Sequence, residues 1–304
     1  MSLKNNWVNA SPFGKLVLLG FLMVLGTLIG LGLFYLCNEF TWEYSIHELS
    51  YLTINTDSEI VLAAKFLQMF SQVGLFLLPA FLFAYLISNN PISALNIAKA
   101  PNLRSILIVL IVTLLSIPFI NYLAIWNAEI HLPSFLGFAE EWMRSMQRKN
   151  DLLMEVVLQM NSSQDILINI VMMTLLPAIG EELIFRGIIQ KQLIKWFSNP
   201  HMAILITSII FSAFHLQFLG FFSRLILGMI FGYFYFYSKN LWTAIWAHFI
   251  NNGLALSLAV IYGSELDSAV MEQEPTFTVF LGSLIAFAFG LWLLYQQREK
   301  MING

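Results

Sequence analysis

Long apolar runs alternate with short polar segments along most of this chain. Because about 20 apolar residues in a helix cross the roughly 30 Å of hydrocarbon in a bilayer, runs of that length predict membrane-spanning helices. Eight such runs occur, at Leu16 to Cys37, Phe66 to Ser88, Ser105 to Trp126, Ile166 to Gln190, Met202 to Gly220, Phe222 to Ser238, Leu241 to Gly263 and Thr276 to Tyr295. The sixth run is the weakest, since Arg224 interrupts its start. The pattern predicts an all-α, polytopic membrane helix bundle with about eight transmembrane helices.

Basic residues divide the loops between these runs into two sets. Lys and Arg accumulate in the short loops on the cytoplasmic side of a membrane. If all eight runs span, one set holds nine basic residues, Lys4, Lys15, Lys99, Arg104, Lys191, Lys195, Lys239, Arg298 and Lys300. The other set holds five basic residues and fifteen of the eighteen acidic ones. The charges therefore predict that the N- and C-termini are both cytoplasmic.

The runs group into three regions. Residues 1–164 hold three spans and a long polar segment, residues 165–263 hold the next four spans, and residues 264–304 hold the last span and a tail. We predict that the middle region is the functional core, because the polar residues described below fall within it.

The polar segment 127–164 has a helical repeat of its own. Phe138, Trp142 and Met146 recur at helical spacing beside charged residues. We expect an amphipathic helix that lies at the outer membrane interface. Two roles stay open for it, capping the bundle and gating the entry of substrate.

Composition strengthens the membrane interpretation and excludes some partners. Of the 304 residues, 58% are hydrophobic and 11% charged, against roughly 25% charged in soluble domains. The net charge of -3, with no basic cluster, excludes nucleic acid as a partner. The single cysteine, Cys37, excludes an internal disulfide, and we expect it to be a buried structural thiol.

Besides Arg224 at the start of the sixth run, ionisable residues interrupt three of the apolar runs. Each costs at least about 2.5 to 3.5 kcal/mol at the centre of a bilayer and therefore indicates a function. These residues, together with one asparagine and one phenylalanine that share a helix face with a histidine, are Glu181, Glu182 and Arg186 in the fourth run, Phe211 and His215 in the fifth, and His248 and Asn252 in the seventh. The two members in the fifth run, and those in the seventh, are four residues apart, so each pair shares one helix face.

Helical spacing separates the two adjacent carboxylates. Glu182 and Arg186 are four residues apart and can form an ion pair, whereas Glu181 is turned about 100° away and stays free. Pro177 and Gly180 can kink the helix or free a backbone carbonyl just before this position. These residue types together predict a buried reactive centre.

At these residues the sequence resembles the CAAX prenyl protease and bacteriocin-processing intramembrane protease family, also called the CPBP or Abi family. Its patterns are Glu-Glu-xxx-Arg, Phe-xxx-His and His-xxx-Asn on successive core helices. All three occur here in the family order, with no departure at the motif positions. The resemblance covers roughly Ile166 to Ala259, about a third of the chain.

The resemblance implies intramembrane endopeptidase activity and a role for each motif residue. Glu181 is implied as the general base that activates water, with His215 as its partner. His248 and Asn252 are implied as the donors that bind the oxyanion. Glu182 and Arg186 are implied to hold the first motif helix in place, and Phe211 can pack under the imidazole that follows it.

No cofactor is expected, although zinc stays an alternative. Glu181, His215 and His248 would make a His2Glu ligand set with one open position. Against zinc, no HExxH spacing is present, and Asn252 is a better oxyanion donor than zinc ligand.

Two further classes stay open, a transporter or proton relay and a non-catalytic bacteriocin-immunity scaffold. For the protease, we expect a peptide or membrane-protein substrate and the lipid bilayer as partners. The expected location is the bacterial inner membrane, with cleavage near its cytoplasmic side. The sequence leaves the substrate itself and the oligomeric state undetermined.

Overall fold

The computed structural model describes residues 3–160, 162–262 and 276–303, with side chains over residues 6–160, 162–262 and 276–296. These residues form helices and contain no β-strand. The helices are α1 (Leu3–Val8), α2 (Pro12–Thr41), α3 (Ile46–Ser50), α4 (Ser58–Ile87), α5 (Pro91–Ala94), α6 (Leu103–Ala128), α7 (Gly137–Val157), α8 (Ser163–Phe197), α9 (Pro200–Phe214), α10 (Phe221–Ser238), α11 (Leu241–Tyr262) and α12 (Phe277–Asn303). The predicted all-α polytopic bundle is confirmed.

Seven segments within the described ranges are long and apolar enough to cross a membrane. They are α2, α4, α6, α8, α10 with the turn Phe218–Gly220 before it, α11 and the part Phe277–Gln296 of α12. The predicted fifth run forms α9, whose 15 residues reach only about 22 Å at 1.5 Å per residue. The eight apolar runs therefore correspond to seven full-length spans and one shorter helix.

Side chains from all three predicted regions lie in one hydrophobic core. The core includes Leu19, Phe83, Phe185, Phe234 and Leu294. The division into regions stays a prediction. Residues 263–275, which include the end of the seventh run and the start of the third region, lie outside the described residues.

One narrow stripe of α2 faces the bundle. Leu22, Gly26, Gly30 and Phe34 are buried at a spacing of four residues. Cys37 lies off this stripe and is exposed, so the expectation of a buried thiol was wrong. Only this side of α2 packs against the other helices, and the rest of its surface faces away from them.

Glycines allow α2 and α4 to approach closely. A Cβ atom on Gly30 would lie 2.5 Å from the Phe70 carbonyl oxygen and 3.1 Å from the Gly74 Cα. Both neighbours are backbone atoms, which cannot move aside as a flexible side chain can. The small-residue spacing of α2 therefore sets the distance between the first two spans.

The predicted amphipathic helix is present as α7. Its Glu140 accepts hydrogen bonds from the Leu132 backbone N–H and from Arg144, and its carboxylate contacts the His131 ring. These three interactions, the backbone bond first, lower the pKa of Glu140 to about 2. They tie the start of α7 to the chain that leaves α6.

The connections between helices gather at two ends of the bundle. At one, here called the basic end, Lys191 Nζ donates to the Ala94 carbonyl at 2.5 Å and Asn240 Nδ2 donates to the Lys99 carbonyl at 2.8 Å. At the other, the acidic end, Asn127 Nδ2 donates to the Phe218 carbonyl at 3.2 Å. The Trp142 ring of α7 packs on Phe218 there, with ring centroids 5.3 Å apart.

We predict that Gly30→Ala destabilises the protein by about 1–3 kcal/mol, as overpacking does in tightly packed cores. The new Cβ would collide with the backbone of α4. Thermal unfolding of the detergent-purified protein, followed by circular dichroism, measures the effect. Gly32→Ala is the matched control on the same helix, because no atom lies within 4 Å of its Cβ position. Equal melting temperatures for the two variants would contradict the close approach.

Candidate active site

The three motif helices bring the predicted residues around one cavity. Glu181 from α8, His215 from the end of α9, and His248 and Asn252 from α11 all line a cavity of about 670 Å³. Phe211 lines it as well, while Glu182 and Arg186 are fully buried beside it. The structure thus assembles all seven sequence-predicted residues in one place.

Glu181 faces the cavity without a counter-ion in direct contact. Its side chain is 13% exposed, and Oε2 has no hydrogen-bond partner among the described residues. The nearest ring nitrogen, His215 Nε2, lies 3.9 Å from Oε2. That distance is too long for a hydrogen bond, but a water molecule beside the two atoms can hydrogen-bond to both.

Glu182 forms the ion pair that the spacing predicts. Arg186 Nη1 donates to Glu182 Oε1 at 2.7 Å, and neither side chain is exposed. Arg186 Nη2 also donates to the Gly228 carbonyl of α10 at 2.9 Å. The pair therefore neutralises one carboxylate and ties α8 to α10.

The same Glu182 oxygen also binds the histidine of α11. His248 Nδ1 lies 2.9 Å from Glu182 Oε1. Because a carboxylate paired with Arg186 accepts hydrogen bonds, His248 Nδ1 is the donor, and Nε2 is left for the cavity. In the neutral ring Nε2 is an acceptor, and only the imidazolium can donate from it.

The backbone fixes the ring of His215 in a similar way. Its Nδ1 lies 2.8 Å from the Phe211 carbonyl oxygen, which can only accept. Nδ1 therefore carries a proton, and the neutral ring presents the Nε2 lone pair toward Glu181. His215 and His248 thus each have one ring nitrogen hydrogen-bonded to the protein and one that is left to take part in the reaction.

Two phenylalanines each contact both the buried cation and one of the imidazoles. The Arg186 guanidinium lies 4.5 Å from the Phe211 ring centroid and 5.5 Å from that of Phe231. Phe211 packs edge-on against His215, and Phe231 stacks on His248 with centroids 5.1 Å apart. Phe211 is thus the apolar support that its spacing from His215 predicts.

An irregular stretch of α8 holds Asn252. Pro177 has no N–H, so the carbonyl of Met173, four residues earlier, lacks its helical donor. Asn252 Nδ2 donates to that carbonyl at 3.2 Å, and Asn252 Oδ1 accepts from Asn251 Nδ2 at 3.3 Å. One amide proton of Asn252 is left for the cavity.

The same stretch, Ile170–Leu175, is a π-helix. The Leu176 N–H bonds to the Val171 carbonyl, five residues back, which frees the Met172 carbonyl. Gln72 Nε2 of α4 donates to it at 3.1 Å. The released carbonyls of α8 are therefore satisfied by amide side chains of the neighbouring helices.

Sequence reasoning did not identify several residues of this site. Phe231, Gln72 and Gly228 contribute a ring, an amide and a carbonyl, none of which forms a motif with its sequence neighbours. Gly228 lies four residues before Gly232, a spacing typical of close helix packing rather than of a catalytic site. A Cβ there would lie 3.0 Å from the Ser208 Cβ, so that packing is real.

The fold and the site together define a polytopic membrane protein with a buried carboxylate and imidazole centre. Residues 163–254 match the family model described as type II CAAX prenyl endopeptidase, Rce1-like. No curated protein and no solved structure matches the chain. This match supports the CAAX protease/CPBP family, as the motifs predict, and the family supports an intramembrane protease.

We predict that Arg186→Met destabilises the fold by about 3–5 kcal/mol, since it leaves Glu182 charged and buried without its partner. The double variant Glu182→Gln, Arg186→Met should recover part of this loss. Thermal unfolding in detergent measures both. Arg148→Met, an exposed arginine of α7, is the control and should leave the melting temperature unchanged. A melting temperature equally unchanged in Arg186→Met would contradict the buried pair.

Proposed function

We propose that the protein is a glutamate-dependent intramembrane endopeptidase. The observation that carries this proposal is the position of Glu181. It is the only carboxylate among the described residues that line the cavity, and its Oε2 lies opposite His215 Nε2. A general base must be free of a permanent counter-ion and within reach of a water molecule, and Glu181 meets both conditions.

In the proposed reaction Glu181 accepts a proton from water while the water oxygen attacks the carbonyl carbon of the scissile peptide. The carbonyl π electrons move to its oxygen and form a tetrahedral oxyanion. When the C–N bond breaks, the proton held by Glu181 passes to the leaving amine. His215 Nε2 accepts a hydrogen bond from the same water and orients it.

Asn252 and His248 are proposed to stabilise the oxyanion. The free amide proton of Asn252 is a fixed donor, because Met173 and Asn251 hold the rest of the amide. The Glu182 carboxylate holds His248 Nδ1, so the ring is fixed with Nε2 toward the cavity, and Nε2 donates to the oxyanion when it carries a proton. Donors held in place before the reaction are what oxyanion stabilisation requires.

We propose that no metal takes part. Among the described residues, no group of three or more His, Cys, Asp or Glu side chains is arranged to hold a metal ion. Zinc at Glu181, His215 and His248 would act as a Lewis acid, and the free Nε2 atoms of both histidines suit it chemically. Metal content, measured by mass spectrometry on the purified protein, decides between the two. One zinc per chain that is lost on His215→Ala would overturn this part of the proposal.

The proposed substrates are peptides or membrane proteins, and nucleic acid is not expected as a partner. The described spans and the family support an integral membrane protein. The proposed location is the bacterial inner membrane. Cleavage near the cytoplasmic side stays a prediction from sequence.

We predict that Glu181→Gln lowers kcat by about 10²–10⁴-fold, the usual contribution of a general base. The amide keeps the shape of the side chain but cannot accept the proton. Cleavage of a quenched fluorogenic peptide library by detergent-purified protein measures the effect.

Glu141→Gln, an exposed glutamate of α7, is the matched control and should cleave like the wild type. Both variants should keep the wild-type melting temperature, so that a loss of activity reports on chemistry. Full activity in folded Glu181→Gln would contradict the proposed function.

We predict that Asn252→Ala lowers kcat by about 10²–10³-fold and leaves KM nearly unchanged, because an oxyanion exists only after the attack. Asn251→Ala should cost less, since Asn251 acts on this amide through one hydrogen bond, which its Nδ2 donates to Asn252 Oδ1. Steady-state kinetics on one cleaved peptide from the library measures both constants. A rise in KM with unchanged kcat would instead indicate that Asn252 binds the substrate in its ground state.

A further inference from the structure

The cavity is closed toward the basic end of the bundle. Beyond Glu181 in that direction, α8 continues through Ile184 and Ile188, whose exposed fractions are 0% and 1%. Ala244 of α11 is also 0% exposed, and Gln190 Nε2 donates to the Gly232 carbonyl of α10 at 3.0 Å, one turn or less beyond Ile188 toward the basic end. Phe234 of α10, which is 0% exposed, lies beyond Gly232 in the same direction. This layer separates the site from the basic end.

The cavity extends from Glu181 toward the acidic end. Most of the residues that line it on α4, α8, α9, α10 and α11 lie in the half of each helix nearer the acidic end, and the exceptions, Glu181, Phe231, His248 and Asn251, lie within four residues of the helix midpoint. Its wall toward the acidic end includes Leu153, Met154 and Val157 of α7 and Leu158, which follows α7. The predicted amphipathic segment is therefore part of the entrance to the site.

The charges at the two ends differ in sign. The connections 88–102, 198–199 and 239–240 at the basic end contain no acidic residue, and Lys99, Lys191 and Lys239 lie in or next to them. The connections 42–57 and 129–162 at the acidic end contain eight acidic residues. By the distribution of Lys and Arg in short loops, the basic end is cytoplasmic.

We infer that the cavity opens on the non-cytoplasmic side of the membrane and accepts peptide segments that lie at or outside the outer leaflet. This inference rests on the proposed endopeptidase function and names the substrate class of the same site. Substrates in this class are exported peptides or the outer portions of membrane proteins. It also reverses the cytoplasmic side expected from sequence, because the closed layer lies between Glu181 and the basic end.

The mouth suits a peptide chain rather than a bare lipid tail. Leucine and methionine side chains of α7 line it beside polar groups of Lys65, Gln68 and Arg224. Lys65 is 2% exposed, so the cavity wall contains a cation well inside the bundle. A peptide offers apolar side chains and backbone carbonyls together, which this mixed wall can contact.

The first experiment determines the membrane orientation. Cys37→Ser removes the native thiol, and single cysteines are then placed at Asn55 of the acidic end and Ala98 of the basic end, both exposed. A membrane-impermeant maleimide should label Asn55→Cys in intact expressing cells and Ala98→Cys only after permeabilisation. The reverse labelling pattern would overturn the inference.

The second experiment measures on which side cleavage occurs. A membrane-impermeant quenched peptide, selected from the library with detergent-purified protein, is added to right-side-out and to inverted membrane vesicles. We expect right-side-out vesicles to cleave the peptide equally well before and after detergent is added. Inverted vesicles should cleave it only after detergent is added. Glu181→Gln vesicles give the background.

The outcomes separate the inference from the function it rests on. Absence of Glu181-dependent cleavage in detergent contradicts the proposed function. A different result contradicts the inference but not the function. In it the protein cleaves in detergent, and among sealed vesicles only the inverted ones cleave the peptide.

A bulky side chain in the cavity wall tests whether the substrate enters through the mouth of the cavity. Ala255→Trp, which adds a ring to the cavity wall, should lower kcat/KM at least about tenfold, the effect of about 1.4 kcal/mol. Ser257→Trp on the exposed part of the same helix should leave it unchanged. Equal activity of the two variants would contradict entry through this mouth.

Discussion

The fully buried Glu182 carboxylate is the constraint on which the rest of this site depends. A charge at this depth is tolerated only with partners, and one oxygen of Glu182 accepts from both Arg186 and His248. Arg186 extends the contact to the Gly228 carbonyl of α10. Three helices are thereby held in one relative position, and the histidine of α11 is held with a defined nitrogen toward the cavity.

With that charge satisfied, the neighbouring carboxylate is available for chemistry. Glu181 projects from the same helix at a different angle and meets His215 across a gap of 3.9 Å. The irregular backbone of α8 contributes as well, because the π-helical stretch and Pro177 release two carbonyls that Gln72 and Asn252 occupy. Such irregularity is tolerated in a membrane where it is enclosed by protein.

The bundle is asymmetric along its axis. Toward the basic end the helices pack without exposed residues around Ile184 and Phe234, whereas toward the acidic end they separate and α7 forms part of the wall. Water must reach a hydrolytic site, and this open half provides the path. The asymmetry of packing and the asymmetry of charge coincide, which connects the chemistry of the site with one face of the membrane.

The sequence by itself determined the helical membrane bundle, the Glu182–Arg186 pair and the free Glu181, because run length and a spacing of four residues act within a single helix. It also predicted the family that the match of residues 163–254 supports, since the motif residues are local patterns. Only the tertiary structure decided that α9 is short, that His248 binds Glu182, that Phe231 stacks on His248, and which end of the cavity is open. These features depend on how helices far apart in sequence rotate and pack against one another, and no spacing along the chain records that rotation.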